Sequence, residues 1–162
     1  MTPILLSAGL IIAVLFLTRT IFIIVGWHKG PVLRQFEKYG DKEDFFYALP
    51  SFLGWLGALI VIGNFWVSEV WGLVYPFTFV GGALLAVAYL TYRFPDYIGY
   101  PPSLLLTHPR WLNELRGRTT RLERRRIAYM WLRLPLRLKL IYNANDAAFL
   151  QWADMIIIST FT

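Results

Sequence analysis

The residues best equipped for chemistry are sparse. His28 and His108 are the only imidazoles, and cysteine is absent, which removes disulfides, thiolate metal sites and cysteine nucleophiles together. A metal centre needs several donors at ligand spacing, and no acid stands at such a spacing from either histidine. An axial haem or chlorin ligand needs one histidine only, so His28 is a candidate of that kind. Asp96, Asp146 and Asp154 do not form an acid pair that could divide general-acid and general-base work. The chain carries no glycine-rich phosphate loop, no HExxH and no nucleophile elbow. These residues predict a protein that is not an enzyme. Bound lipid is the one non-protein component expected, and contact with haem, chlorin or quinone is undetermined by the sequence.

Two groups of cations ask for a partner instead. The first is Arg19, in the middle of the apolar run LFLTRTIFIIVGW. Its own helix face offers Ile12, Leu15, Phe16, Phe22, Ile23 and Gly26, none of them a carboxylate. Phe16 and Phe22 can lend a ring face, and Trp55, expected at the same depth, is the stronger cation-π candidate. The second group is Arg121, Arg124, Arg125, Arg126, Arg133, Arg137 and Lys139. Basic clusters attract phosphate in any form, but this one follows apolar spans and carries apolar residues on its other face. Anionic lipid headgroups or an acidic partner therefore fit better than nucleic acid, which is not expected.

The elements that must position these groups follow from composition. Of 162 residues, 57% are hydrophobic and 16% charged, outside the usual range of soluble domains. Residues 3–27, 45–67 and 72–92 form apolar stretches, each meeting the roughly 20 residues needed to cross about 30 Å of hydrocarbon. The first lacks the basic leader and short apolar core of a cleaved signal, so it is read as a retained helix. The fold class expected is all-α, a polytopic membrane protein with three transmembrane helices plus cytoplasmic amphipathic helices. With SEVW as the turn between them, the second and third helices form an antiparallel hairpin. Gly54 with Ala58 and Gly82 with Ala86 are its expected small-residue packing pairs.

Orientation follows from the basic residues. None precedes Arg19 and none falls in residues 68–71, whereas Lys29, Arg34, Lys38 and Lys42 follow the first stretch and eleven more occur from Arg93 onward. The positive-inside rule then puts the amino terminus outside and the carboxyl terminus in the cytoplasm, for a multi-pass protein of a cytoplasmic-type (inner) membrane. Trp27, Phe45, Phe46, Tyr47, Tyr92 and Tyr97 would mark the inner interface, Trp66 and Trp71 the outer. Arg19 lies eight residues before Trp27, about 12 Å deep at 1.5 Å per residue. Side chains lean toward the helix N-terminus, so Arg19 snorkels inward awkwardly.

The domain organisation expected is a transmembrane helix over 1–27, an amphipathic connector over 28–44, a transmembrane hairpin over 45–93, a Pro- and aromatic-rich arm over 94–118, and basic then apolar helices over 119–162. In the connector, Val32, Leu33, Phe36 and Tyr39 recur at helical spacing and predict a helix along the membrane surface. Beyond a capping box at Thr120 and Glu123, Ile127, Met130, Trp131 and Leu134 follow helical spacing opposite Arg124, Arg125 and Arg126. A broken amphipathic helix on the membrane surface is expected here, interrupted at Pro135. The alternating LRLPLRLKL is also compatible with an edge strand. Asn145 caps a last helix over 146–158, too short to span, whose Phe149, Trp152, Met155, Ile156, Ile157 and Ile158 must dock on a partner or on the chain's own helices.

The function these features imply is that of a non-catalytic accessory or assembly subunit of a larger membrane complex, respiratory, photosynthetic or transport, whose partners are other integral-membrane subunits and anionic lipids. The alternatives are a small homo-oligomeric channel or transporter with Arg19 lining the pathway, and a membrane adaptor that binds anionic lipid.

Overall fold

A computed structural model describes residues 2–39, 48–71, 75–94 and 109–159. Among these every regular element is a helix: α1 (Thr2–Val25), α2 (Gly30–Tyr39), α3 (Ala48–Trp71), α4 (Tyr75–Arg93), α5 (Arg110–Arg118), α6 (Arg121–Arg133), α7 (Leu136–Ala144) and α8 (Asp146–Ile158). Phe45, Phe46, Tyr47, Asp96, Tyr97 and His108, with most of the arm, lie outside the described residues.

Proline marks the helix starts. Pro3, Pro31, Pro50 and Pro76 fall in the first turns of α1 to α4, while Pro109 and Pro135 stand just ahead of α5 and α7. A first-turn residue needs no N–H for the helix ladder, and the ring presets φ. The other two starts use side chains. Thr120 accepts from the Glu123 amide at 3.4 Å while the Glu123 carboxylate accepts from the Thr120 amide at 2.6 Å, completing the expected capping box. The Asn145 side chain accepts from the Ala148 amide at 3.1 Å, as expected. Pro135 separates α6 from α7, and α7 resolves the ambiguity of LRLPLRLKL in favour of helix. α1 ends at Gly26, whose φ of +94° is costly for any residue with a Cβ.

The chain divides into two compact units, one made of Met1–Ile21 and Tyr47–Thr107, the other of Phe22–Phe46 and His108–Thr162. In the first unit α3 and α4 run antiparallel: Gly54 faces Ala88, Gly57 faces Gly81 and Leu85, and Asn64 donates to the Thr78 hydroxyl at 2.6 Å. A Cβ on Gly57 would stand 2.8 Å from the Gly81 carbonyl oxygen, so the two backbones touch there. This revises the expected packing pairs. Gly54 does face α4, but the closest approach belongs to Gly57 and Gly81, while Gly82 meets no atom within 4 Å and Ala86 is exposed. The SEVW segment is also not a turn, since α3 continues through it to Trp71. α1 lies antiparallel to α3 through larger groups: Phe16 stacks on Trp55 with ring centroids 4.6 Å apart, and the Trp66 indole donates to Ser7 at 3.0 Å.

What this unit buries is small or polar (Ala13, Thr20, Asn64, Ala88, Thr91), while Ile4, Leu5, Leu15 and Phe79 are 63–75% exposed. Helices α1 and α3 are long and apolar enough to cross a membrane by length and composition. α4 does not meet the same measure; its 19 residues include Thr78, Tyr89, Thr91 and Tyr92.

The second unit is built the opposite way, around a closed apolar core. Ile23 from the end of α1, Val32, Leu33 and Phe36 of α2, Trp111, Leu112 and Leu115 of α5, Ile127, Ala128 and Trp131 of α6, and Phe149, Leu150, Trp152 and Ala153 of α8 are all buried together. Trp131 meets Phe149 and Trp152 edge-on at 5.5 and 6.0 Å, and Trp111 meets Phe149 at 5.2 Å. Such pairs each add about 0.5–1.5 kcal/mol beyond area burial. The apolar faces of α2 and α6 are thus covered by protein, so these faces are not the lipid-facing surfaces that helical spacing suggested: each found a closer partner within the unit.

Candidate functional site

Arg19 is exposed on α1, and its guanidinium carbon lies 6.0 Å from the centre of the Phe16 ring. Trp55 takes part at one remove, by stacking on Phe16, so the expected direct cation-π contact is with Phe16 instead. The antiparallel register does put α3 near Trp55 level with this part of α1. Among the described residues no carboxylate pairs with Arg19.

The basic surface is real but one member leaves it. Arg125, Arg126, Arg133 and Arg137 are exposed, while Arg124 is 9% exposed and donates to the Thr119 carbonyl oxygen. The face of α6 that packs inward is Arg124, Ile127, Ala128 and Trp131, whereas Met130, expected inside, is 37% exposed. Arg124 thus ties α6 back onto the end of α5, a structural task. Lys139 is half-buried and donates to the Leu132 carbonyl at 3.0 Å, capping the end of α6, and Arg133 contacts the Tyr129 hydroxyl. Asp154 faces Arg118 at 3.9 Å on the surface, where such pairs contribute little.

In the last helix, Phe149 and Trp152 dock on this chain's own core, Ile156 and Ile157 pack partly against it, and Met155 and Ile158 stay 59% and 66% exposed. His28 stands half-buried between α1 and α2. The described residues contain no group of three or more potential metal ligands.

The strongest polar centre was not singled out in the sequence: Lys29, completely buried. Its Nζ donates to the Gly26 carbonyl at 3.0 Å and the Asn143 carbonyl at 3.1 Å, and pairs with Asp146 Oδ1 at 2.5 Å. Its backbone N–H donates to the Asn143 side chain at 3.0 Å. The Trp111 and Phe149 rings lie 5.8 and 5.6 Å away. Burial pushes the Lys29 ammonium below its ordinary pKa, and the hydrogen bond and charge of Asp146 push the other way. Local structure explains the cage. Asn143 presents a carbonyl at the negative end of α7, Asp146 sits in the first turn of α8 where a carboxylate is favoured, and the turn at Gly26 aims its carbonyl inward. All three ammonium protons are accepted, which leaves a clamp between the end of α1 and the α7–α8 junction. The only sequence cue was a lysine directly after a helix-ending Gly-Trp-His; its partners lie more than a hundred residues away.

Compared with protein-family models, with curated proteins and with solved structures, the chain matches none.

Proposed function

We propose that this chain is a non-catalytic accessory or assembly subunit of a larger integral-membrane complex. In this reading α1, α3 and α4 all cross the bilayer, with the amino terminus outside and the carboxyl terminus in the cytoplasm. α4 crosses as the close partner of α3; its 19 residues are about 28 Å long, near the hydrocarbon thickness of about 30 Å. The inside-out composition of the first unit supports the bilayer, because apolar surface facing lipid needs no cover while polar groups must be satisfied between helices. The basic residues after α1 and α4 support the orientation.

The observation that carries the subunit reading is Arg19. A charge at mid-helix costs roughly 2.5–3.5 kcal/mol on insertion scales, and among the described residues no acid offsets it. A partner's carboxylate or carbonyl, placed at that depth, would recover the cost on assembly. Purification from native membranes in mild detergent, followed by intact mass spectrometry, tests this. Stoichiometric membrane subunits should accompany the wild-type chain, and Arg19→Leu should insert as well but lose them, with Arg19→Lys rescuing in part because the planar fork is lost. A homogeneous multiple of the 18.8 kDa chain would point instead to a homo-oligomeric channel. A reporter between α3 and α4 should read external, and one after Thr162 cytoplasmic.

A further inference from the structure

Helix α7 is built inside out relative to its own unit. It contains no buried residue. Its polar Lys139, Tyr142 and Asn143 are turned inward and half-buried, whereas Leu136, Leu140 and Ile141 are 71%, 60% and 55% exposed. Successive residues turn 100°, so Leu136, Arg137, Leu140, Ile141 and Ala144 share the outward half of the helix, with Ala144 nearest its centre and Arg137 between it and Ile141. In the same unit α2, α5, α6 and α8 all turn apolar residues inward. A nine-residue helix that hides its amide and ammonium groups and presents leucines is shaped for an apolar environment outside the unit.

Two further observations say which environment. Residues 124–145 hold no Asp or Glu, and four of their cations, Arg125, Arg126, Arg133 and Arg137, are exposed, so the segment is complementary to an anionic surface. The C-terminal end of α7 is also fastened to the end of α1, because Lys29 bonds both the Gly26 carbonyl and the Asn143 carbonyl, beside Trp27, which is 60% exposed. The last turn of α1 that carries this clamp belongs to the same unit as α7, and with α1 crossing the bilayer that turn is where the helix leaves the hydrocarbon.

We propose that α7 is an interfacial helix that lies in the headgroup layer of an anionic leaflet. Leu136, Leu140 and Ile141 enter the upper acyl chains, and Arg133 and Arg137 extend their stems along apolar surface to reach lipid phosphates. Lys139 and Asn143 stay with the protein and fix the roll of the helix. The inference rests on the reading of α1 as a membrane span and adds a lipid class and a contact face to it.

Depth-resolved quenching tests it on the full chain in liposomes. Since the chain has no cysteine, single Leu15→Cys, Leu136→Cys and Leu140→Cys variants each take one environment-sensitive fluorophore. In bilayers containing phosphatidylglycerol, labels at positions 136 and 140 should lose most of their fluorescence to lipids carrying a nitroxide high on the acyl chain and resist aqueous acrylamide. Quenching by acrylamide instead overturns the proposal, and protection from both quenchers overturns it in favour of a protein partner on this face. The label at position 15 separates the two layers of argument. Read with a second lipid whose nitroxide sits near the end of the acyl chain, quenching at 15 without shallow-lipid quenching at 140 sinks the interfacial helix alone, and its absence at 15 sinks the span on which the inference rests. Arg133→Gln and Arg137→Gln should each lower the docked-to-undocked ratio of α7 about fivefold in anionic bilayers. They should have little effect in phosphatidylcholine, and equal docking of all variants in both lipids removes the headgroup recognition.

Discussion

Replacing Asp146 with asparagine leaves a hydrogen-bond acceptor beside Lys29 but removes the counter-charge of an ammonium that is fully buried, 2.5 Å from the carboxylate. Breaking a buried ion pair by deleting one partner costs about 3–5 kcal/mol when both charges are dry. Here the Asp146 side chain is 46% exposed, so water screens part of the attraction, and the Gly26 and Asn143 carbonyls remain as acceptors. The expected destabilisation of the second unit is therefore about 2–3 kcal/mol, including a few tenths for the carboxylate lost from the first turn of α8. In hydrogen exchange on the chain in nanodiscs, protection factors in α7 and α8 should fall roughly 30- to 160-fold. The pH dependence identifies the cause. Burial already holds the folded pKa of Lys29 below its ordinary 10.5, and losing Asp146 removes the two effects that raise it. Between that lowered value and 10.5 the unfolded chain binds more protons than the folded one, so stability gained from this group rises with pH in that window. The window is wider in the variant, and its deficit should narrow as pH rises from neutral toward about 10. A deficit that is constant or grows with pH would refute the view that the cost is an uncompensated buried charge.

Three other outcomes follow from particular contacts. The Gly54 position and Ala88 Cβ are 3.7 Å apart, within the usual 3.5–4.5 Å for a disulfide, so Gly54→Cys with Ala88→Cys should cross-link on mild oxidation, seen as faster migration on non-reducing gels, whereas Gly54→Cys with Gly82→Cys should not. Arg124→Gln should destabilise the second unit by about 1–3 kcal/mol through the unsatisfied Thr119 carbonyl, while Arg125→Gln should change its stability by less than about 0.5 kcal/mol, both read by hydrogen exchange. Deleting residues 145–162 removes Phe149, Leu150, Trp152 and Ala153 from the core, and should abolish protection in α2, α5 and α6 at every salt concentration while α1 and α3 remain carbonate-resistant in membranes.

Much of the local structure was legible because its causes are local. The helix starts at Thr120 and Asn145 depend on side chains reaching amides three residues on, and Pro135 interrupts whatever surrounds it. The apolar runs of α1 and α3 follow from composition alone. The face that each amphipathic helix turns inward was not legible, because periodicity identifies an apolar stripe without saying what covers it. Val32, Leu33 and Phe36 would serve equally on lipid, and only the packing of α2 against α6 shows them in a protein core. The same limit concealed the choice between neighbouring glycines: Gly81 and Gly82 are equivalent in sequence, but the α3–α4 crossing places one against the Gly57 carbonyl and the other in open space. Lys29 is the clearest case. Composition and charge order determine that it follows an apolar span and counts toward the basic side. That it is buried rather than hydrated was decided by tertiary structure alone, which brought Asn143 and Asp146 across more than a hundred residues to accept every proton of its ammonium.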